Sequence, residues 1–162
     1  MPILLDRATK HVFHVPGGLG YIELVAHNSP AYWQSVQLRH RVLREPLGMM
    51  FTREELLGEH GQYHFVGRDP KGQLVAVLVL KGLKNNKIKM RQVAVDFLHQ
   101  GQGWGKQLVA ICEQFARDKG FRAITLHARR EAMAFYGHLQ YTVKGDVFEE
   151  VGIPHYKMVK SL

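Results

Sequence analysis

The sequence predicts a mixed α/β fold, a sheet of parallel and antiparallel strands with helices on its faces. Three observations carry this. Short apolar runs bounded by turn residues, as at 63–67 and 74–80, read as strands. Longer segments at 30–44 and 103–119 place apolar residues at helical spacing. A strand-like run at 88–95 leads through glycines into the second of these helices. A crossover of that kind makes 88–95 and 123–127 parallel neighbours. The full order is β-α-α-β-β-β-α-β-α-β-β.

Each element has its own signal. Residues 1–20 read as an N-terminal arm, set off by Pro16-Gly17-Gly18-Leu19-Gly20 from a single domain at 21–162. Residues 21–26 form the first strand. Asn28 or Ser29 caps a helix with Pro30 at its first position, running to about Arg44 and ended by Pro46. Thr52-Arg53-Glu54-Glu55 opens a short second helix. Strands at 63–67, 74–80 and 88–95 then form an antiparallel meander. Asp69-Pro70-Lys71-Gly72 and Asn85-Asn86 supply its turns. The 74–80 strand is apolar on both faces and therefore central, whereas the alternation of 88–95 slips at Arg91-Gln92, as at a bulge. The helix at 103–119 carries Trp104, Leu108, Cys112 and Phe115 on one stripe and ends at Lys119-Gly120. A strand at 123–127, a helix near 130–139 and closing strands near 141–148 and 155–160 complete the chain.

Composition narrows the function. A chain of 162 residues is the size of one domain with a substantial core. No apolar run reaches the roughly 18 residues of a membrane span, and residues 1–7 lack a secretory pattern. Neither a membrane partner nor a secreted protein is expected. The one cysteine, Cys112, cannot form an internal disulfide, which suits a reducing cytoplasm. Its place on the helix stripe reads as a small core residue. The net charge of +8 attracts anions, whether a phosphorylated cofactor, an acidic substrate or nucleic acid. The basic residues are dispersed, including those between Arg39 and Arg44, and read as a solvated surface. No recognised nucleic-acid motif or aromatic-basic stripe is present, so no nucleic-acid partner is expected. Ten histidines occur without an H-E-x-x-H or a Cys/His quartet, so no metal is expected.

The stretch Gln100-Gly101-Gln102-Gly103-Trp104-Gly105 is the most informative. Where a strand passes through glycines into a helix, the first helical N–H groups lack intrahelical acceptors and the dipole favours negative charge. Glycines also let a bulky pyrophosphate approach the backbone. The spacing is neither the dinucleotide G-x-G-x-x-G nor a Walker loop, because Lys106 is followed by Gln107. A glycine-rich turn that merely caps a helix is the alternative.

Gln100-x-x-Gly103-x-Gly105 resembles the Q/R-x-x-G-x-G/A pyrophosphate loop of the GNAT superfamily of acyl-CoA N-acyltransferases. Residues 132–141, Ala-Met-Ala-Phe-Tyr-Gly-His-Leu-Gln-Tyr, resemble that family's A-x-x-F-Y-x-x-x-G-F/Y helix and turn. Residues 41–49 and 152–158 resemble the substrate-side segment and closing strand of one bacterial branch. The resemblance runs from about 21 to 162 in the family's order.

It implies the GNAT fold, acetyl-CoA as donor and direct transfer to an amine acceptor. Main-chain groups near Val93, Ala94 and Val95 would pair with the pantetheine arm, where that strand splays from its neighbour after His127. Backbone N–H groups of Gln100, Gly101, Gln102, Gly103, Trp104, Gly105 and Lys106 would hold the pyrophosphate. Tyr136 matches the tyrosine that protonates the departing thiolate, a role that suits a phenol with an ordinary pKa of about 10. A packed aromatic with a satisfied hydroxyl is the plainer reading.

The strand at 88–95 lacks the carboxylate that many members use as base, since Asp96 comes only after it. His127 is the leading substitute, with Glu149, Glu150 and His155 behind it, and water can relay the proton instead. Gln140 stands where the family often has glycine, so that turn either tolerates positive φ or differs in geometry. Arg129 either meets a phosphate or points to solvent. Arg41, Arg44 and Glu45 border the acceptor side or form a solvated helix end.

The function expected is an acetyl-CoA-dependent N-acetyltransferase acting on a small molecule, peptide or protein amine. The alternative is a non-catalytic acyl-CoA-binding regulatory module. A homodimer is expected only by family analogy.

Overall fold

The computed structural model describes residues 11–162. The first ten residues of the segment read as an arm lie outside the described residues. The chain divides into two compact units. One contains the described residues up to Val79 together with Gln92–Ile111, and the other contains Leu80–Arg91 and Cys112–Leu162.

In the first unit, β1 (Val12–Val15), which lies in the stretch read as an arm, pairs antiparallel with β2 (Gly20–Val25), the strand read at 21–26. The tight turn Pro16–Gly18 joins them, with Gly17 at φ 79°. β2 pairs antiparallel with β3 (Tyr63–Arg68). Between these strands, α1 (Pro30–Arg39) starts at Ser29, whose hydroxyl accepts the Tyr32 N–H at 3.2 Å. Of the two candidate caps, the extended Ser29 takes the role. Beyond Arg39 the helix widens into a π-helical turn, His40–Arg44, and tightens into a 3-10 turn, Glu45–Leu47. Gly48, at φ 66°, ends it. The run read as one helix to Arg44 is therefore α1 followed by a wider turn.

α2 (Arg53–Leu57) opens on a full capping box. The Thr52 hydroxyl accepts the Glu55 N–H at 3.1 Å, and the Thr52 N–H donates to the Glu55 carboxylate at 2.7 Å. β4 (Leu74–Gly82) follows β3 in the sheet, and β5 (Lys87–Val95) follows β4. The six consecutive residues from Val75 to Leu80 are fully buried, as the two-faced apolar run predicts. Leu38, Val77, Val79 and Ala94 form one core cluster here.

The reading of the basic segment as solvated surface fails at Arg39 and Arg44, which are both buried. The guanidinium of Arg39 donates twice to the Glu59 carboxylate, at 2.8 and 2.7 Å, with both side chains 1% exposed. The Tyr32 hydroxyl donates to the same carboxylate at 2.7 Å. Burial, and then the Glu59 hydrogen bond, push the Tyr32 phenol well up. Removing one partner leaves a buried, uncompensated charge. Glu59→Ala is therefore expected to cost about 3–5 kcal/mol of stability, read by urea denaturation.

In the second unit, the first half of β5 pairs in parallel with β6 (Ala123–Arg129), from Lys87 opposite Ala123 to Met90 opposite Leu126. This is the parallel pairing expected of a crossover through α3 (Trp104–Asp118), which passes from one unit into the other. Cys112 is a fully buried α3 residue, and burial pushes its thiol well up, as befits a core position.

α4 (Met133–His138) is shorter than the segment read as a helix, because residues 130–132 form a 3-10 turn. It ends with the Tyr141 N–H bonded to the Tyr136 carbonyl and the Gln140 N–H bonded to the Gly137 carbonyl. Gln140 sits at φ 74°, so the turn keeps the left-handed geometry without glycine. β9 (Ile153–Ser161) pairs antiparallel with β6, β7 (Thr142–Val143) and β8 (Phe148–Glu150). The strand read at 141–148 is thus two short strands, parted near Gly145 at φ 89°.

Candidate functional site

The end of β5 and the loop after it belong wholly to the first unit. β5 bends at Gln92, whose φ of 56° is left-handed, at the point where its alternation slips. Ala94 then turns into the core while Val93 and Val95 stay half-buried. Asp96 closes the strand. Its N–H donates to the Val75 carbonyl at 2.8 Å, and its carboxylate accepts from the Leu98 N–H at 3.2 Å. The same carboxylate lies 2.9 Å from His99 Nδ1 and 3.3 Å from Arg41 Nη1. The His99 hydrogen bond outweighs burial and holds the Asp96 carboxyl below its ordinary value. Asp96 is thus an ionised cap that sets the turn Phe97–His99, a role the linear pattern does not reveal.

Next comes the candidate phosphate loop. Gly101 and Gly103 have φ of 77° and 98°, conformations that L side chains rarely adopt. The side chain of Gln100 donates to the Val95 carbonyl at 3.0 Å, tying the loop back to the strand. Residues 101–103 are exposed, as is Lys106, and Gly105 is half-buried. The Gly103 carbonyl accepts the Gln107 N–H at 3.1 Å, the first helical hydrogen bond of α3. The N–H groups of Trp104, Gly105 and Lys106 therefore precede the helical ladder, at the positive end of a 15-residue helix.

Trp104 is in the loop motif, but the residue is only 2% exposed and its ring serves packing. The ring packs against Gly67 of β3. A Cβ built on Gly67 would lie 2.7 Å from the indole Cζ3. Gly67 thereby anchors the start of α3, a contact between residues far apart in sequence. Gly67→Ala is expected to lose about 1–3 kcal/mol by overpacking, read as a lower denaturation midpoint at unchanged slope.

The acceptor-side residues read from sequence separate into two kinds. Arg44 is buried, donates to Glu55 at 3.1 Å and stacks its guanidinium 4.2 Å above the Phe51 ring. Arg41 is half-exposed, with 53% of its side chain open, and meets Asp96. Glu45 is exposed in the turn after the π-helical segment.

The remaining candidates lie in the second unit. Tyr136 is buried on α4, with its ring edge-on to Phe135 at 5.0 Å and to Tyr141 at 5.7 Å. Burial pushes its phenol well up. His127, on β6, is partly buried, with Nδ1 3.1 Å from a Glu150 oxygen and its ring edge-on to Phe148 at 4.8 Å. The other Glu150 oxygen is 3.6 Å from His155 Nε2. Burial disfavours the Glu150 carboxylate. The His127 hydrogen bond, with the charges of His127, His155 and Lys89, outweighs that and holds it below its ordinary value. A Glu150 carboxylate on Nδ1 selects the His127 tautomer whose Nε2 lone pair can accept a proton. Glu149 is exposed, and Arg129 ends β6 opposite His155. Among the described residues, no group of three or more His, Cys, Asp or Glu side chains is arranged to hold a metal. Nor is any described helix long and apolar enough to cross a membrane.

The uncharacterised Bacillus subtilis protein YyaT is 31% identical over 74 residues, which are 46% of this chain and 50% of YyaT. The chain spans half or less of the length of the curated relatives it matches. An acyl-CoA N-acyltransferase from Pseudomonas aeruginosa superposes with a TM-score of 0.74 at 23% identity, covering 86% of this chain and 97% of that one. An aminoglycoside 6'-N-acetyltransferase complexed with coenzyme A gives 0.71 at 16% identity, covering 86% and 96%. At these identities the structures share the fold. The family description "Acetyltransferase (GNAT) domain" matches residues 44–162, the stretch that contains β5, the glycine loop, α3 and α4. The chain belongs to the GNAT acetyltransferase family.

Proposed function

We propose that the protein is an acetyl-CoA-dependent N-acetyltransferase that moves an acetyl group directly to a primary amine of a small molecule, peptide or protein. One observation carries the reading. An exposed glycine loop with left-handed Gly101 and Gly103 feeds the N-terminus of the 15-residue α3 directly after β5. Such an arrangement suits a pyrophosphate, which accepts hydrogen bonds from the leading N–H groups and gains from the helix dipole. The coenzyme A complex of the aminoglycoside acetyltransferase supports the same ligand class.

In this reading, the amine nitrogen attacks the thioester carbonyl, an N–C bond forms and the C–S bond breaks. The departing thiolate takes a proton from the Tyr136 hydroxyl. The amine gives its proton to His127 Nε2, with Glu150 on Nδ1 supporting the imidazolium that forms. Residues 100–106 hold the pyrophosphate through main-chain N–H groups, and Val93, Ala94 and Val95 pair with the pantetheine arm. Lys106 and Arg129 add positive charge for the donor's phosphates. Acceptor contact falls to Arg41 and Glu45, because Arg44 is buried against Glu55 and Phe51 whereas the Arg41 side chain stays open beside Asp96.

Titration calorimetry with acetyl-CoA tests the donor. Saturable one-site binding supports the reading, and the absence of binding by folded protein removes it.

A further inference from the structure

Gln92 occupies a conformation usually left to glycine, at φ 56° in the middle of a strand. A side chain there is strained, so it needs a reason. Its Oε1 accepts a hydrogen bond from Arg39 Nε at 3.1 Å. Arg39 cannot easily turn away. Its two terminal nitrogens are fixed by the Glu59 carboxylate, and its guanidinium lies 4.6 Å above the Phe51 ring. Glu59 is held in turn by the Tyr32 hydroxyl. The pair is buried, so swinging the guanidinium off Glu59 would strand two charges out of water. Arg39 therefore presents its Nε–H at a fixed place, and the amide of Gln92 must meet it.

We infer that Arg39 and Glu59 form a clamp that sets the bulge at Gln92 and so aims the last residues of β5 at the pantetheine arm of the donor. This rests on the donor reading above and adds positioning residues to it. The bulge decides which way the main-chain groups of Val93, Ala94 and Val95 face, because one residue of slip turns every later group over. A pantetheine arm offers two amides to pair with an extended strand, so its fit depends on that orientation. The adenosine and phosphate part of the donor would meet the loop at 100–106, which is tied to the strand by the Gln100 bond to the Val95 carbonyl and so depends on the bulge less.

Gln92→Gly separates the two. Glycine adopts φ 56° and ordinary extended φ alike, so the variant folds, but with Arg39 Nε–H left without its amide partner nothing holds residue 92 in the bulge conformation. Acetyl-CoA should bind the variant about tenfold more weakly, the scale of one lost hydrogen bond. Adenosine 3'-phosphate 5'-diphosphate, the donor without its pantetheine arm, should lose affinity by no more than about twofold. Hydrogen exchange at the amides of Val93, Ala94 and Val95, read without ligand, should quicken in the variant. Equal weakening of both ligands, or unchanged affinities with unchanged exchange, would overturn the clamp. Wild type that binds neither ligand would sink the donor reading. Exchange would then still show whether the clamp holds the strand.

Discussion

Tyr136→Phe is expected to lower turnover about a hundredfold while leaving acetyl-CoA affinity within about twofold. The substitution removes one hydroxyl and keeps the ring, so the edge-on contacts with Phe135 and Tyr141 persist and stability should hardly change. A loss confined to kcat identifies an interaction made in the transition state, as protonation of a departing thiolate would be. The burial that pushes this phenol up also sets its pH behaviour. The group stays protonated through neutral pH and beyond its ordinary pKa of about 10, so it should impose no fall in rate below that pH. Stopped assays over a pH series on wild type and variant check both points. Unchanged turnover would return Tyr136 to the role of a packed core aromatic.

The second large effect lies in the loop. Gly103→Glu should abolish measurable acetyl-CoA binding. Gly103 sits at φ 98°, where any side chain is strained, and the added carboxylate would stand among N–H groups proposed to hold a pyrophosphate. A Cβ there meets only Leu19 Cδ1, at 3.9 Å, so the cost is one of backbone conformation and charge rather than of core packing. Circular dichroism confirms that the variant is folded, and calorimetry reads the affinity. Wild-type affinity in the folded variant would move the phosphate site elsewhere.

Local signals made much of the fold legible. Ser29 with Pro30, and Thr52 with Glu55, mark helix starts because a cap is satisfied within four residues. The slip at Arg91-Gln92 was equally visible, and it corresponds to the positive φ at Gln92. What the slip leans on was not visible, since Arg39 lies 53 residues away in a stretch that reads as a charged surface. The Gly67 contact with Trp104 is hidden for the same reason, because packing between distant segments leaves no periodicity. β1 and β8 are four and three residues long, too short to show alternation beside their turns. In the candidate site, the loop motif was legible as a spacing. The Glu150 carboxylate on His127 was not, because it arises from the pairing of β8 with β9 and of β9 with β6.

The most direct test of acyl transfer mixes the protein with acetyl-CoA and a panel of primary amines, following free thiol and acetylated amine together. Acyl transfer by the protein requires thiol release that depends on at least one amine and matches the acetylated product mole for mole. Acetyl-CoA binding without amine-dependent thiol release across small-molecule, peptide and protein amines would contradict it, and would leave a module that binds acyl-CoA without catalysis.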